Sequence, residues 1–255
     1  MKKRVTIATR QGKRLFQEDF YVHLHLANEN GLEGELLAVL DGHGGSTAAR
    51  LCADEIHGLL KLESAADAEN SLRQLIRELD GKTRHLSSGT TVSLALVLYD
   101  PPQVSIAILG DSPVVVLDNR GELHQSPNHN VRSNPEECAI AKKRGATYRQ
   151  GHIFAPDCED GLAMGRALGD AHLEEVLFRE PDVYTITEPA WVLVASDGLF
   201  NPIYDPLMVM IDDLQFPAED GADAAEIMRL AEAREEAEEG KEGGLEDNAT
   251  ALVWG

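Results

Sequence analysis

Four carboxylates stand where apolar, strand-like runs of this chain meet Gly, Asn or another acid: Asp19 closing RLFQED, Asp41 opening DGHGG, Asp197 within ASDG and Asp247 within EDNAT. A fold that uses all four must bring strand ends from nearly the whole length of the chain to one rim, each strand delivering one oxygen ligand. Oxygen ligands gathered in that way build a cluster of hard divalent cations. Taken singly, Asp-Gly and Asp-Asn pairs are ordinary turn chemistry, and for any one of them that reading would prevail. Four together favour the shared site.

With 255 residues, 43% hydrophobic and 26% charged, the chain has room for one large core or two small ones and the balance of a soluble globular protein. It is read as a single domain over 1–255. No apolar stretch approaches the roughly 18 residues of a membrane span. The N-terminal MKKRVTIATRQGKR lacks the apolar centre of a signal peptide. A cytoplasmic protein with no membrane association is expected. Cys52, Cys138 and Cys158 are scattered and form no CxxC, which supports neither a disulfide framework nor a thiolate zinc site. The 23 Lys and Arg against 44 Asp and Glu give a net charge of −21, a field that repels nucleic acid and leaves metal ions and basic peptides as more natural partners.

Periodicity supplies the elements. Ser46 onward places Ala49, Cys52, Ile56 and Leu59 at helical spacing, and Ala65 to Leu79 repeats the pattern with Ala68, Leu72, Leu75, Ile76 and Leu79. Strand-like runs follow at Thr90 to Leu98, Val104 to Leu109 and Val114 to Leu117, with turn signals at Asp100-Pro101-Pro102 and Asp111-Ser112. Short turns between consecutive strands predict antiparallel pairing. The polar stretch from Pro127 to Arg166, with one helical piece in PEECAIAKKRGA, reads as a surface flap at roughly 127–165. Trp191 to Ser196 and Thr250 to Trp254 read as the last strands. Between them lies an Ala/Glu-rich helix, Ala222 to Glu239.

RLFQED, LAVLDGHGG, SSGTTVSLALV, LGDS, NPEE, MGRALGD, VASDGLF and EDNATALV occur in that order between Arg14 and Val253. This ordered set resembles the PPM-type, metal-dependent protein serine/threonine phosphatases, also called type 2C. The resemblance implies an α+β fold, with two packed antiparallel β-sheets flanked by α-helices in a four-layer αββα sandwich. It implies two Mn²⁺ or Mg²⁺ ions per subunit at one end between the sheets, and hydrolysis of phosphoserine and phosphothreonine in proteins by a water or hydroxide bridging them. By the same resemblance Asp41 bridges both ions, the Gly42 carbonyl binds one, and Asp197 and Asp247 bind the other. Glu18 and Asp19 match acids that hold water on the ions, a role that sets geometry. Asp111 and Asp197 match acids around a third, weaker ion.

Arg14 matches the family's phosphate-binding arginine, whose planar fork suits bidentate contact with phosphate oxygens. The alternative for a lone Arg near a basic N-terminus is a surface charge. His43 is the candidate general acid for the departing seryl or threonyl oxygen, and it could equally orient Asp41 or a bound water. Ser88 to Thr91 and the Arg166, Asp170 pair match family positions but read as structural, as do His23 and His25 on a strand. A Cys such as Cys52 on an apolar helix face reads as core.

Two positions depart from the family pattern. Pro113 stands where Arg is usual, and Asn201 stands where many members place an acid for the third ion. Expected partners are phosphorylated proteins and a cognate serine/threonine kinase. A catalytically silent binding protein of the same fold and a hydrolase of small phosphate esters are the alternatives.

Overall fold

The computed structural model describes residues 3–29, 31–200, 207–239 and 245–255, with side chains left undescribed at 207–212 and 235–239. One five-stranded antiparallel sheet is made of β1 (Val5–Arg10), β15 (Ala249–Trp254), β14 (Pro189–Ala195), β8 (Val114–Asp118) and β9 (Leu123–Gln125), in that order across the sheet. A second consists of β13 (Asp182–Thr187), β7 (Pro102–Leu109), β6 (Val92–Tyr99), β3 (Glu33–Leu40) and β2 (Phe20–Ala27). The short strands β4 (Gly42–His43), β5 (Gly89–Thr90) and β12 (Leu168–Gly169) form a small sheet, and β10 (Thr147–Arg149) pairs with β11 (His152–Phe154).

The two large sheets pack face to face through Leu37, Val39, Ala95, Val97, Ile106, Ile108, Val114, Val116, Val192, Val194, Leu252 and Trp254. Their outer faces are covered by helices. α1 (Thr47–Leu59) and α2 (Ala68–Thr83) lay Ala49, Cys52, Ile56, Leu72, Leu75, Ile76 and Leu79 on Leu36, Ala38, Leu40, Leu94 and Leu96. α4 (Leu207–Glu219) and α5 (Ala224–Glu239) place Leu214, Ala218, Ile227, Met228 and Ala231 on Trp191, Leu193, Ala251 and Val253. Successive strand residues therefore alternate between two buried faces, which is why these strands read as unbroken apolar runs. Each wholly buried leucine contributes about 1.5–3 kcal/mol relative to exposure. The four layers are those of the expected α+β sandwich.

α3 (Pro135–Lys143) starts where its sequence dictates: Asn134 accepts from the Glu136 and Glu137 amides, and Pro135 occupies the first turn. It contributes to a separate small core of Val131, Cys138, Ala141, Ile153, Met164, Leu173 and Leu177. Among the described residues no helix is long and apolar enough to cross a membrane. All three cysteines are free, and burial pushes the Cys52 thiol up to about 12.

The pairing expected for consecutive strands holds for β6 and β7, whose ladder runs from Val92↔Leu109 to Tyr99↔Pro102. It fails for β7 and β8, which belong to different sheets. The intervening Gly110 has φ +125°, and a Cβ there would meet Thr91 Cβ at 2.6 Å, so the chain crosses from one sheet to the other over Thr91. Pro113 lies in this crossing; its carbonyl accepts from the Ala195 amide at 3.0 Å.

Candidate metal centre

The register brings one end of each sheet to the same place. Asp19 precedes β2 and Asp41 follows β3, whose terminal residues pair as Phe20↔Leu40. In the other sheet Asp197 follows β14 and Asp247 precedes β15, with Ala195 opposite Ala251. Asp111 lies in the crossing between them. Two acids thus come from each sheet and a fifth from the link.

Hydroxyls and amides fix the carboxylates. The Asp41 amide donates to Thr91 Oγ1 at 3.2 Å, Thr91 Oγ1 donates to Ser112 Oγ at 3.0 Å, and Ser112 Oγ donates to Asp41 Oδ2 at 3.2 Å. Ser196 Oγ donates to Asp19 Oδ2 at 2.7 Å and itself accepts from the Thr250 amide at 2.9 Å, tying the two sheets together. Asn130 Nδ2 donates to Asp111 Oδ2 at 2.9 Å, whereas Asp111 Oδ1 is buried with no hydrogen-bond partner among the described residues.

The electrostatics are those of crowded carboxylates withdrawn from water. Burial, then repulsion from Asp197, Asp19 and Asp111, holds Asp41 well above the usual carboxylate range. Burial, Asp111 and Asp247 do the same to Asp197. Burial raises Asp111 against the Asn130 bond. It brings Asp19 to about 6 against bonds from Ser196 and Thr250. Acids that disfavour each other's ionisation, together with an orphaned buried oxygen, make a hard-oxygen donor set that fits divalent cations.

Gly42 pairs with Thr90, and a Cβ there would meet the Glu18 carbonyl at 2.5 Å, so only glycine lets this backbone pass beside the Glu18-Asp19 segment. His43 Nε2 lies 2.7 Å from Asp170 Oδ2, while its Nδ1 is buried without a partner among the described residues. Asp170 is 2% exposed and left-handed at φ 48°. Arg14 is exposed and donates from its guanidinium to Asp247 Oδ2. The structure therefore gathers Arg14, Asp19, Asp41, Gly42, His43, Asp111, Asp197 and Asp247 at one end of the sandwich. Asn201 lies outside the described residues.

The expected Arg166, Asp170 pair does not form. Arg166 is buried against Glu137 at 2.6 Å and Asp182 at 3.2 Å, and Asp170 instead holds His43. Asn248, 6% exposed, is a further residue of the site that spacing alone does not single out. Its Oδ1 accepts from the Glu18 amide at 2.7 Å, and its Nδ2 donates to the Gln11 and Phe16 carbonyls at 2.8 and 3.0 Å. It clamps the Arg14 loop to the Asp247 strand. Its place in EDNAT was the available signal. His23 and His25 both contact Glu35 on β3, at 2.8 and 3.1 Å.

Asp118, Glu122 and His124 also offer three ligand atoms within 4.8 Å of one another. There Asp118 Oδ1 already accepts from the Arg120 and Glu122 amides at 2.8 and 3.0 Å. That cluster is the turn chemistry of the β8–β9 hairpin.

Known proteins resemble this chain in sequence and in fold. A family model described as Protein phosphatase 2C matches residues 4–216. The chain is 26% identical to "Probable protein phosphatase 2C 11" of Arabidopsis thaliana, covering 95% of this chain and 64% of that protein. It is 27% identical to "Protein phosphatase 1K, mitochondrial" of Xenopus laevis, covering 99% and 69%. It therefore spans just under two thirds of the Arabidopsis protein's length. Among solved structures, the serine-threonine phosphatase 2C of Toxoplasma gondii superposes with a TM-score of 0.75 at 18% identity, covering 98% of this chain and 93% of that one. A serine/threonine phosphatase of Mycobacterium tuberculosis superposes at 0.63 with 22% identity, covering 99% and 97%. With its sandwich fold and a family match over most of its length, the chain belongs to the protein phosphatase 2C family.

Proposed function

We propose that the protein hydrolyses phosphoserine and phosphothreonine in other proteins with the help of divalent cations. The observation that carries this reading is the cluster of five carboxylates at one end of the sandwich with the exposed Arg14 fork on its rim. The names of the relatives support the same reading. Asp19, Asp41, Asp111, Asp197 and Asp247, with the Gly42 carbonyl, would hold the ions, two Mn²⁺ or Mg²⁺ per subunit and a weaker third beside Asp111. When bound, such ions neutralise charge on phosphoryl oxygens and lower the pKa of the attacking water.

The chain's own groups then divide the remaining work. Arg14, exposed beside Asp247, offers its fork to phosphate oxygens. His43 is held in orientation by Asp170 through Nε2, which leaves Nδ1 as the nitrogen to pass a proton to the departing seryl or threonyl oxygen. Thr91 and Ser112 keep Asp41 in place. No side-chain nucleophile is required. Phosphorylated proteins and a cognate kinase are the proposed partners. The cytoplasmic setting, the single domain and the 127–165 flap belong to the same proposal.

The test is a panel of phosphoserine and phosphothreonine peptides, nucleotides and small phosphate esters, assayed with Mn²⁺ and with excess chelator. Metal-dependent peptide turnover is expected. Turnover in chelator overturns the metal role, and turnover of small esters alone overturns the protein substrate.

A further inference from the structure

We propose that Leu15 and Phe16 form a subsite that grips an apolar side chain close to the phosphorylated residue of a protein substrate; this rests on the phosphatase reading above. Leu15 is 86% exposed and Phe16 73% exposed. One exposed apolar side chain is ordinary. Two in succession, directly after the arginine that touches Asp247 and directly before Gln17, Glu18 and Asp19, place a bare apolar surface at the lip of the carboxylate cluster.

The backbone under these side chains is fixed. The Phe16 and Gln11 carbonyls accept from Asn248 Nδ2, the Glu18 amide donates to Asn248 Oδ1, the Lys13 amide donates to the Leu245 carbonyl at 2.9 Å, and Gln11 Nε2 donates to the Arg14 carbonyl at 2.8 Å. A surface held this way loses little freedom when something docks on it, so its apolar area contributes to binding with a small ordering cost. The core has no use for these side chains, since neither packs in any of the four apolar clusters.

The occupant follows from the neighbours. Lys13 is ion-paired with Glu246 and Arg14 with Asp247, and Glu18 and Asp19 follow close behind, so the group beside the pair that can take an anion is the exposed Arg14 fork, and a phosphate held by it fixes where its peptide runs. An extended chain advances about 3.3 Å per residue, so the few residues on either side of the phosphoserine or phosphothreonine are the ones that run nearest to Leu15 and Phe16. An apolar side chain in that window would bury surface against them. A short polar one would not. The pair would therefore select among phosphorylation sites by their immediate context.

Two phosphoserine peptides of equal net charge test this, one with leucines at the three positions on either side of the phosphoserine and one with serines there. The ratio of their kcat/KM values is measured with Mn²⁺ for the parent, Leu15→Ser, Phe16→Ser and the double variant. The parent should favour the leucine peptide by about tenfold, mostly through KM. The double variant should bring the ratio close to one, with each single variant between. A parent ratio near one, or a ratio that survives in the double variant, overturns the subsite. Failure of the parent to turn over either peptide with Mn²⁺ overturns the phosphatase reading instead.

Discussion

Replacing Asp19 by Asn should stabilise the metal-free protein at neutral pH and weaken the metal-loaded one. Asp19 is 7% exposed, and burial lifts its carboxyl from 3.8 to about 6. A folded-state pKa above the unfolded one means that the folded protein holds this proton more tightly. The stability it contributes is complete below about pH 3.8 and is lost as pH rises through about 6. A shift of about two units, at ~1.36 kcal/mol each, places the cost at pH 7 near ~3 kcal/mol. An amide carries no charge to desolvate and can still accept from Ser196 Oγ. At about 2 °C per kcal/mol for a chain of this size, Asp19→Asn should melt about 6 °C above the parent in excess chelator at pH 7. The gain should shrink to about a third, about 2 °C, at pH 4.5 and vanish only below about pH 3.8, where Asp19 is protonated in both the folded and the unfolded parent. In Mn²⁺ the order should reverse, because ligand binding stabilises the protein that binds more tightly. Thermal melting at both pH values, with chelator and with Mn²⁺, reads all of this. A variant that melts no higher than the parent at pH 7 in chelator, or that gains as much at pH 4.5, would refute the reasoning.

Three other substitutions probe the rest of the site. Arg14→Ala should raise KM for phosphopeptides by about tenfold or more, with Arg14→Lys recovering little because a point charge lacks the bidentate fork; steady-state kinetics decide it. Asp170→Asn should lower kcat with KM little changed, since it removes the carboxylate that orients the imidazole. An unchanged kcat in a folded variant would make Asp170 merely structural. Asn248→Ala strips partners from the Glu18 amide and the Gln11 and Phe16 carbonyls. At about 1 kcal/mol each it should cost about 3 kcal/mol in urea unfolding, and kcat/KM should fall with it.

Much of this was legible in the chain itself because burial on two faces and acid-Gly junctions leave local marks. The apolar runs of β6, β7, β8, β14 and β15 and the helical stripes of α1 and α2 follow from period and propensity, which depend only on near neighbours in sequence. Asp19, Asp41, Asp197 and Asp247 stood out because each sits at the end of such a run. The ordered motifs between Arg14 and Val253 pointed to the family that the comparison then matched over residues 4–216.

What only the tertiary structure decided were the pairings between residues far apart in the chain. Local turn chemistry at Asp111-Ser112 predicts a hairpin. Instead Gly110 at φ +125° carries the chain into the other sheet, because burying both faces of two sheets gains more than closing one more ladder. That crossing places Asp111 between the sheets. Arg166 and Asp170 look like partners at a separation of four. Arg166 is drawn to Glu137, 29 residues away, and Asp170 to His43, 127 residues away, since a buried charge takes whichever opposite charge the packing brings to it. Asn248 looks like a turn residue in EDNAT, and its clamp on the Arg14 loop exists only because β1 and β15 lie side by side. Spacing in sequence fixes which residues can share a strand or a helix face; which strand ends meet is set by the layering of the whole core.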